Sequence, residues 1–426
     1  MEHASEIRTG AEGGVMIPTA RDVSTPTQRR HRSAKCAGRL AAPRAKSRIW
    51  RFDVRRVADA SFDPRWFMLS IGWAVLALAQ TAAPAREWRT LEREGATPLR
   101  YTMIVPDGLD ATRPTPVVLA FPPGAQTEEV ADRALAQYFD EQAKRRGFVV
   151  VCPIQDTDDG RFFDGGEEPI PALLDHVAKQ WNVESGRFLV CGPSNGGISA
   201  LHVAQRWPER FRGVVAFPGF LRALDDGAAL APLTKMPVAL FAGGADNPTW
   251  IERTTSTHAR LAQLGAVSID ATVFPGEAHR PASLDGGALL FDTLERMRCA
   301  SVLDALHDAA SKADGARYFD LFTPDAVFIG TDATERWSLP AFRAYAEPYF
   351  AQGKGWTYVP QERHVDVRGD CAWFDERLDN AKYGATRGSG ALTRGADGRW
   401  RVAHYVLSLA VPNEKAARVV DVIRGE

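Results

Sequence analysis

The chain has 426 residues, 45% of them hydrophobic and 25% charged, and a formal net charge of -1. That length exceeds one ordinary domain and calls for two or three units, with the composition of a soluble globular protein. A balance so close to zero gives no general pull toward nucleic acid or acidic lipid as a partner.

The balance is uneven along the chain. Residues 1 to about 60 include "TPTQRRHRSAKCAGRLAAPRAKSRIWRFDVRR", a basic stretch without sustained apolar period, expected to be a disordered, solvated tail or the product of a start codon set too far upstream. In the segment 61–85, Arg65 precedes an apolar core from Trp66 to Ala79, and Ala83-Pro84-Ala85 follows as a cleavage site. This reads as a signal peptide, too short for a comfortable membrane span. The expectation is an exported protein, periplasmic or secreted, without stable membrane insertion after processing. Met68 or a nearby codon would then be the translation start, or else the segment is an anchor. Cys36 lies before that point; Cys152, Cys191, Cys299 and Cys371 follow, none at C-x-x-C spacing. Buried thiols are expected, with neither a metal nor another cofactor.

From about residue 86 apolar runs alternate with amphipathic stretches. "YTMIV" (101–105) and "PVVLAF" (116–121) predict strands, Glu128 to Arg146 predicts a helix stopped by Gly147, and "FVVVCP" (148–153) resumes the sheet. A helix over about 170–181, the run Phe188 to Cys191, "GVVAFPG" (213–219), "PVALFAGG" (237–244), a helix over about 250–264 and "IDATVFPG" (269–276) continue the pattern. Near-continuous apolar runs belong to strands buried on both faces, so the fold class is α/β, a doubly wound, mostly parallel sheet.

In that architecture chemistry sits on loops at the carboxyl edge of the strands. "GPSNGG" places Ser194 between a strand and a helix, in a sharp elbow that needs small residues at 192 and 196. Asp246 follows the strand ending in "LFAGG", and His279 follows the one ending in "VFPG". Serine is a poor nucleophile unless a base takes its proton; imidazole can, and a carboxylate fixes the tautomer of the ring. Each residue also has a plain alternative: a turn serine, a helix-capping aspartate and a surface histidine. Three matching residue types after three strands favour the triad Ser194, His279, Asp246. His176, His202 and His258 fall within helices, and Glu277 and Asp285 are the fallback acids. Oxyanion donors are expected from the Asn195 N–H together with Gly124 or Ala125, or Gln126, since Pro122 and Pro123 have none to give. The acidic loop 156–168 misses the EF-hand spacing, and its Phe162 and Phe163 are expected to line a substrate pocket. Too few residues separate Phe217 from Pro237 for a large helical cap, so the site should be open.

With "GPSNGG", "GGADNPTW" and "PGEAHRP", residues 86–298 resemble the α/β-hydrolase superfamily, in particular carboxylesterases and polyhydroxybutyrate-depolymerase-like and dienelactone-hydrolase-like esterases. The resemblance implies ester or thioester hydrolysis with Ser194 as nucleophile, His279 as general base and acid, and Asp246 orienting it. The chain departs from those families at the usual His-Gly oxyanion signature, where it has Phe121-Pro122-Pro123-Gly124, and it lacks the nucleophilic cysteine of dienelactone hydrolases.

After residue 300 the pattern changes to a helix over about 300–313 and strand runs near 356–367, 372–378, 388–394 and 399–411, with a hairpin signal at Ala396-Asp397-Gly398. Helices followed by an antiparallel sheet make a separate α+β unit. "FIGTDATERW", "CAWFDERL" and "GRWRVAHYVLSLAVPN" resemble the SnoaL-like, nuclear transport factor 2-like superfamily, which implies a cone-shaped domain over 300–426. Asp332, Glu335, Trp337, Asp375, Arg377 and His404 are its candidate cavity residues. Dimerisation or ligand capture is the expected role, with a small-molecule or polymer-derived ester as substrate of the whole. The rivals are a non-catalytic binding protein using the C-terminal cavity and an isomerase or cyclase in that half.

Overall fold

The structure, a computed structural model, describes residues 86–155 and 161–425. The expected basic tail and signal-like segment, with Cys36 and Ala83-Pro84-Ala85, lie outside the described residues, as do residues 156–160 of the acidic loop.

The first sheet has eight strands: β1 (Trp88–Leu91), β2 (Leu99–Ile104), β3 (Val117–Ala120), β4 (Val149–Pro153), β5 (Phe188–Gly192), β6 (Phe211–Ala216), β7 (Val238–Gly243) and β8 (Ile269–Phe274). Their order is β1-β2-β4-β3-β5-β6-β7-β8, antiparallel at the β1–β2 and β2–β4 pairs and parallel from β4 to β8. Every residue of β3 to β7 is buried, as their unbroken apolar sequences require, whereas β8 is an edge strand with Val273 exposed.

Helices cover both faces. On one, α3 (Ile170–Gln180), α4 (Asn195–Arg206) and α6 (Pro248–Gln263) deliver Leu173, Leu174, Val177, Leu201 and Leu261 into a core with Val117, Val190 and Leu240. On the other, α1 (Glu128–Tyr138), α2 (Asp140–Arg146) and α7 (Ala288–Ser311) bury Leu135, Tyr138, Phe291 and Leu294 against Val118, Val150 and Val215. A four-residue helix, α5 (Gly227–Leu230), lies between β6 and β7. The single helix expected over 128–146 is two, because Phe139 (φ -124°, ψ -42°) breaks the turn. Both parts still bury one apolar stripe, so the periodicity survives the kink.

The second sheet follows α7 and a short α8 (Gly315–Asp320). Its strands are β9 (Phe322–Ile329), β10 (Arg336–Ser338), β11 (Val359–Arg368), β12 (Cys371–Asn380), β13 (Gly384–Arg394) and β14 (Trp400–Leu409), with α9 (Leu339–Phe350) before β11 and α10 (Ala416–Arg424) at the end. The order is β10-β9-β14-β13-β12-β11, antiparallel except at β14–β9. Strands β9 and β10 are additional to those read from the sequence. An aromatic cluster of Tyr318, Phe319, Phe322, Phe342, Phe350, Phe374 and Tyr405 fills the side of this sheet that faces the helices.

The two sheets are not strung on a linker: residues 86–426 form one compact unit, and the boundary expected near residue 299 falls inside the 24-residue helix α7. The amino half of α7 packs on the first sheet and its carboxyl half on the second. Around its middle lies a buried ionic group. Arg298 donates to Glu184, to Glu295 (2.9 Å) and to the Gly398 carbonyl (2.7 Å), while Arg394 (2.8 Å) and the Trp400 indole (2.8 Å) also donate to Glu295. Charges this buried persist only when paired.

Candidate active site

Strand β5 ends at Gly192, and Ser194 stands just before α4, at its N-cap, with φ 56° and ψ -122°, a conformation that non-glycine residues rarely adopt. The strain holds because the elbow is closely built. A Cβ on Gly196 would lie 2.2 Å from the Phe121 carbonyl oxygen, so only glycine lets α4 pass the end of β3. The serine hydroxyl thus stands at the carboxyl edge of the parallel strands, beside the amino end of α4.

The acid and the base arrive on neighbouring loops that are tied together. Gly244 N–H donates to Phe274 C=O (2.8 Å) and Ala245 N–H to Glu277 C=O (2.7 Å). A Cβ on Gly243 would meet the Ala278 carbonyl oxygen at 2.0 Å, which is how closely the end of β7 approaches the histidine loop. Ser194 Oγ lies 2.9 Å from His279 Nε2, and His279 Nδ1 lies 2.8 Å from Asp246 Oδ2. The Asp246 side chain is 4% exposed and that of His279 36%, so the carboxylate is sealed while the imidazole stays open to an incoming molecule. Capping of α6, the other role available to Asp246, belongs to Asn247, whose Oδ1 accepts from Thr249 N–H at 2.9 Å. Asp246 is therefore left for the imidazole.

The other candidates have other partners. His176 sits 3.1 Å from the Tyr101 hydroxyl, His202 faces Glu167 at 3.2 Å, and Glu277 and Asp285 accept from Ser283 and from Gln137 (2.6 Å). Of the four described cysteines, none in a disulfide, Cys152, Cys191 and Cys299 are buried and Cys371 is exposed. Burial pushes the three buried thiols up.

Among the oxyanion candidates, Asn195 opens α4 and its Nδ2 donates to the Gly124 carbonyl at 2.9 Å, binding the elbow to the β3 loop. Gln126 drops out as a donor. Its backbone N–H is taken by Pro123 C=O (3.0 Å), and its side chain is buried against Pro122, Ser199 and Phe162. Gly124 and Ala125 remain beside Asn195, with Gly124 in the left-handed region at φ 57°.

Phe162 is a correction. It is fully buried and packs on Phe121 with ring centroids 5.0 Å apart, so it belongs to the core and not to a pocket wall. Its neighbour Phe163 is half-buried under the Arg222 guanidinium (5.5 Å). Trp250 is additional to the residues expected from the sequence and stands edge-to-face with His279 at 4.7 Å and 74°. Its place four residues after Asp246, on the first turn of α6, was the available signal.

In the second sheet, Asp375 and Arg377, expected at a cavity, lie on the outward face of β12, and His404 on β14 is half-buried. Along β12, Ala372, Phe374, Glu376 and Leu378 are buried while the residues between them point outward, so Glu376 is the interior acid. It accepts from Arg363 (2.9 Å) and from the Tyr405 hydroxyl (3.1 Å), and meets His307 at 2.7 Å. Burial pushes its carboxyl up, but His307 and Arg363 outweigh that and hold it at about 2. Asp332 is spent on a local turn with Thr334 (2.8 Å), Glu335 accepts from the Asp332 N–H (3.3 Å), and Trp337 stacks on Tyr345 (5.3 Å).

Comparison with known proteins finds two separate segments. Residues 170–273 match the esterase family model, whose description reads "Putative esterase", and residues 300–412 match the SnoaL-like domain model. No curated protein matches the chain. Among solved structures it is similar to a thermostable esterase (17% identity, TM-score 0.40, covering 49% of this chain and 62% of that one). It is also similar to the S-formylglutathione hydrolase of Agrobacterium tumefaciens (18%, 0.37, 49% and 93%). A nuclear transport factor 2-like protein from Pseudomonas putida KT2440 is similar as well (18%, 0.25, 29% and 92%). The first sheet thus carries a match to an esterase family model and the second a match to a SnoaL-like domain.

Proposed function

We propose that the protein cleaves a carboxylic ester or thioester through an acyl-enzyme on Ser194. One observation carries this reading: the continuous line Asp246 Oδ2, His279 Nδ1 and Nε2, Ser194 Oγ, with steps of 2.8 and 2.9 Å. His279 Nε2 takes the hydroxyl proton as Oγ attacks the carbonyl carbon, and Asp246 holds Nδ1–H and stabilises the imidazolium. The tetrahedral oxyanion is met by Asn195 N–H with Gly124 or Ala125 N–H, each such bond being worth roughly 3 kcal/mol in the transition state. His279 then protonates the leaving alcohol or thiol, and a water molecule, deprotonated by the same imidazole, hydrolyses the acyl-enzyme.

The substrate in this reading is a small-molecule or polymer-derived ester met outside the cell, and the SnoaL-like domain serves dimerisation or substrate capture. Isomerase or cyclase chemistry in that domain is disfavoured, because its interior carboxylate, Glu376, is buried and already engaged by Arg363, His307 and Tyr405, which take three of its roughly four acceptor sites. A fluorophosphonate probe tests the reading. Labelling of the folded protein, abolished in Ser194→Ala together with hydrolysis of p-nitrophenyl acetate, supports it; folded protein that stays unlabelled favours a binding protein instead.

A further inference from the structure

Beside the triad the structure holds a ladder of rings ending in a guanidinium. Trp250, half-buried, stands against His279 with centroids 4.7 Å apart. Phe220 lies on Trp250 at 4.9 Å and 56°, and the guanidinium carbon of Arg253 sits 3.8 Å over Phe220. Trp250 and Arg253 are three residues apart on α6 and so share one face of it. Arg253 donates to the Arg222 carbonyl at 3.1 Å, yet among the described residues no carboxylate pairs with it. The contrast with Arg222 is direct, for that side chain is neutralised by Asp164 at 3.1 Å. Stacking on a ring fixes a guanidinium in place without consuming its remaining in-plane donors, which suits it to two-point recognition of a carboxylate.

The side of the site on which this ladder lies follows from the chemistry. His279 must deliver its proton to the oxygen of the leaving group, so the leaving alcohol departs next to the imidazole and to the ring packed against it. We propose that the leaving alcohol is an aromatic one bearing a carboxylate, its ring on Trp250 and its anion on Arg253. This rests on the serine-hydrolase reading above and names the substrate class for that site.

The test compares the acetyl ester of 4-hydroxybenzoate with that of 4-hydroxybenzamide, a neutral partner of nearly the same shape. For each, kcat/KM is divided by the rate of hydroxide-catalysed hydrolysis. The wild type is expected to prefer the anionic ester by about tenfold or more, the size of one charge-assisted hydrogen bond. In Arg253→Gln that ratio falls to near one, and in Arg253→Lys, which keeps the charge but loses the fork, it is partly kept; raising the salt concentration lowers the preference in the wild type. Equal ratios in wild type and Arg253→Gln, with both esters turned over, overturn the inference and leave the esterase reading standing. Labelling of Ser194 with turnover of neither ester also overturns the inference alone, whereas failure of the probe to label Ser194 overturns both.

Discussion

Arg298 grips both carboxylate oxygens of Glu184, at 2.8 Å to each, and so binds the middle of α7 to the loop that leads into β5. Arg212 joins the same carboxylate from β6 at 2.6 Å. The strand that carries the nucleophile is thereby locked to the helix on which the second sheet is built. Glu184→Gln removes the charge and leaves Arg298 and Arg212 buried with too little to balance them, at a cost of about 3 kcal/mol or more. Urea unfolding followed by tryptophan fluorescence and by circular dichroism should show the loss in both probes with one midpoint. A variant within about 1 kcal/mol of wild type would refute the role given to this group.

The same carboxylate sets an acid limit. Burial pushes Glu184 up, but Arg298 and Arg212 together hold it down at about 2, and Glu376 sits at about 2 beside His307 and Arg363. Both folded values lie below the ordinary glutamate range, so the unfolded chain binds more protons. Stability from these groups is complete above about pH 4.5 and is lost as the pH falls toward 2, by up to about 3 kcal/mol for each. Thermal melts should be flat in this respect from pH 7 to 5 and fall steeply below about 4.5. In Glu184→Gln the fall should be shallower, because one of the two deeply buried carboxylates that contribute to it is gone. An equal slope in the variant would show that Glu184 does not titrate as described.

A glycine makes the third case. The Cβ of Gly196→Ala would stand 2.2 Å from the Phe121 carbonyl oxygen and 2.9 Å from its carbon, both backbone atoms that no rotamer change can move. Either α4 shifts off β3 or the elbow opens, and both displace Ser194. The expected result is destabilisation of more than about 2 kcal/mol together with near-complete loss of ester hydrolysis. Gly124→Ala offers the contrast: open space surrounds that position and only its φ of +57° resists a side chain, so the stability cost should be about 1 kcal/mol.

How far the sequence spoke depends on which interactions are local. The parallel sheet was legible because β3 to β7 are buried throughout and their residues say so. The triad was legible because each member follows its own strand, and chain order with fold class brings those strand ends to one edge. Phe162 was misplaced because an aromatic in an acidic loop gives no sign of which neighbour covers it; Phe121, 41 positions earlier, does so. Asp375 and Arg377 were preferred over Glu376 although the alternation Ala372, Phe374, Leu378 already pointed Glu376 inward. The junction at α7 was hidden for a different reason. Its middle is buried on the sides facing both sheets, with the charged Glu295 and Arg298 inside beside Met297 and Cys299, so burial there does not follow the apolar stripe by which a sequence marks a helix.

The adjacent pair Asp246 and Asn247 separates orientation of the base from capping of the helix. Asp246 Oδ2 holds His279 Nδ1, while its Oδ1 accepts from the backbone N–H of Asn247 at 2.6 Å, a bond that survives any change of the Asn247 side chain. Asp246→Asn keeps the shape but offers Nδ1 an amide, which permits the tautomer that cannot accept the serine proton. kcat should fall by about 10⁴-fold with little change in stability. Asn247→Ala removes the side-chain cap on Thr249 N–H and should lower stability by about 1 kcal/mol, with kcat within a few-fold of wild type. Steady-state kinetics and urea midpoints measured on both variants check the division. If Asn247→Ala lost activity as deeply as Asp246→Asn, the carboxylate would be acting through the helix end and not through the imidazole.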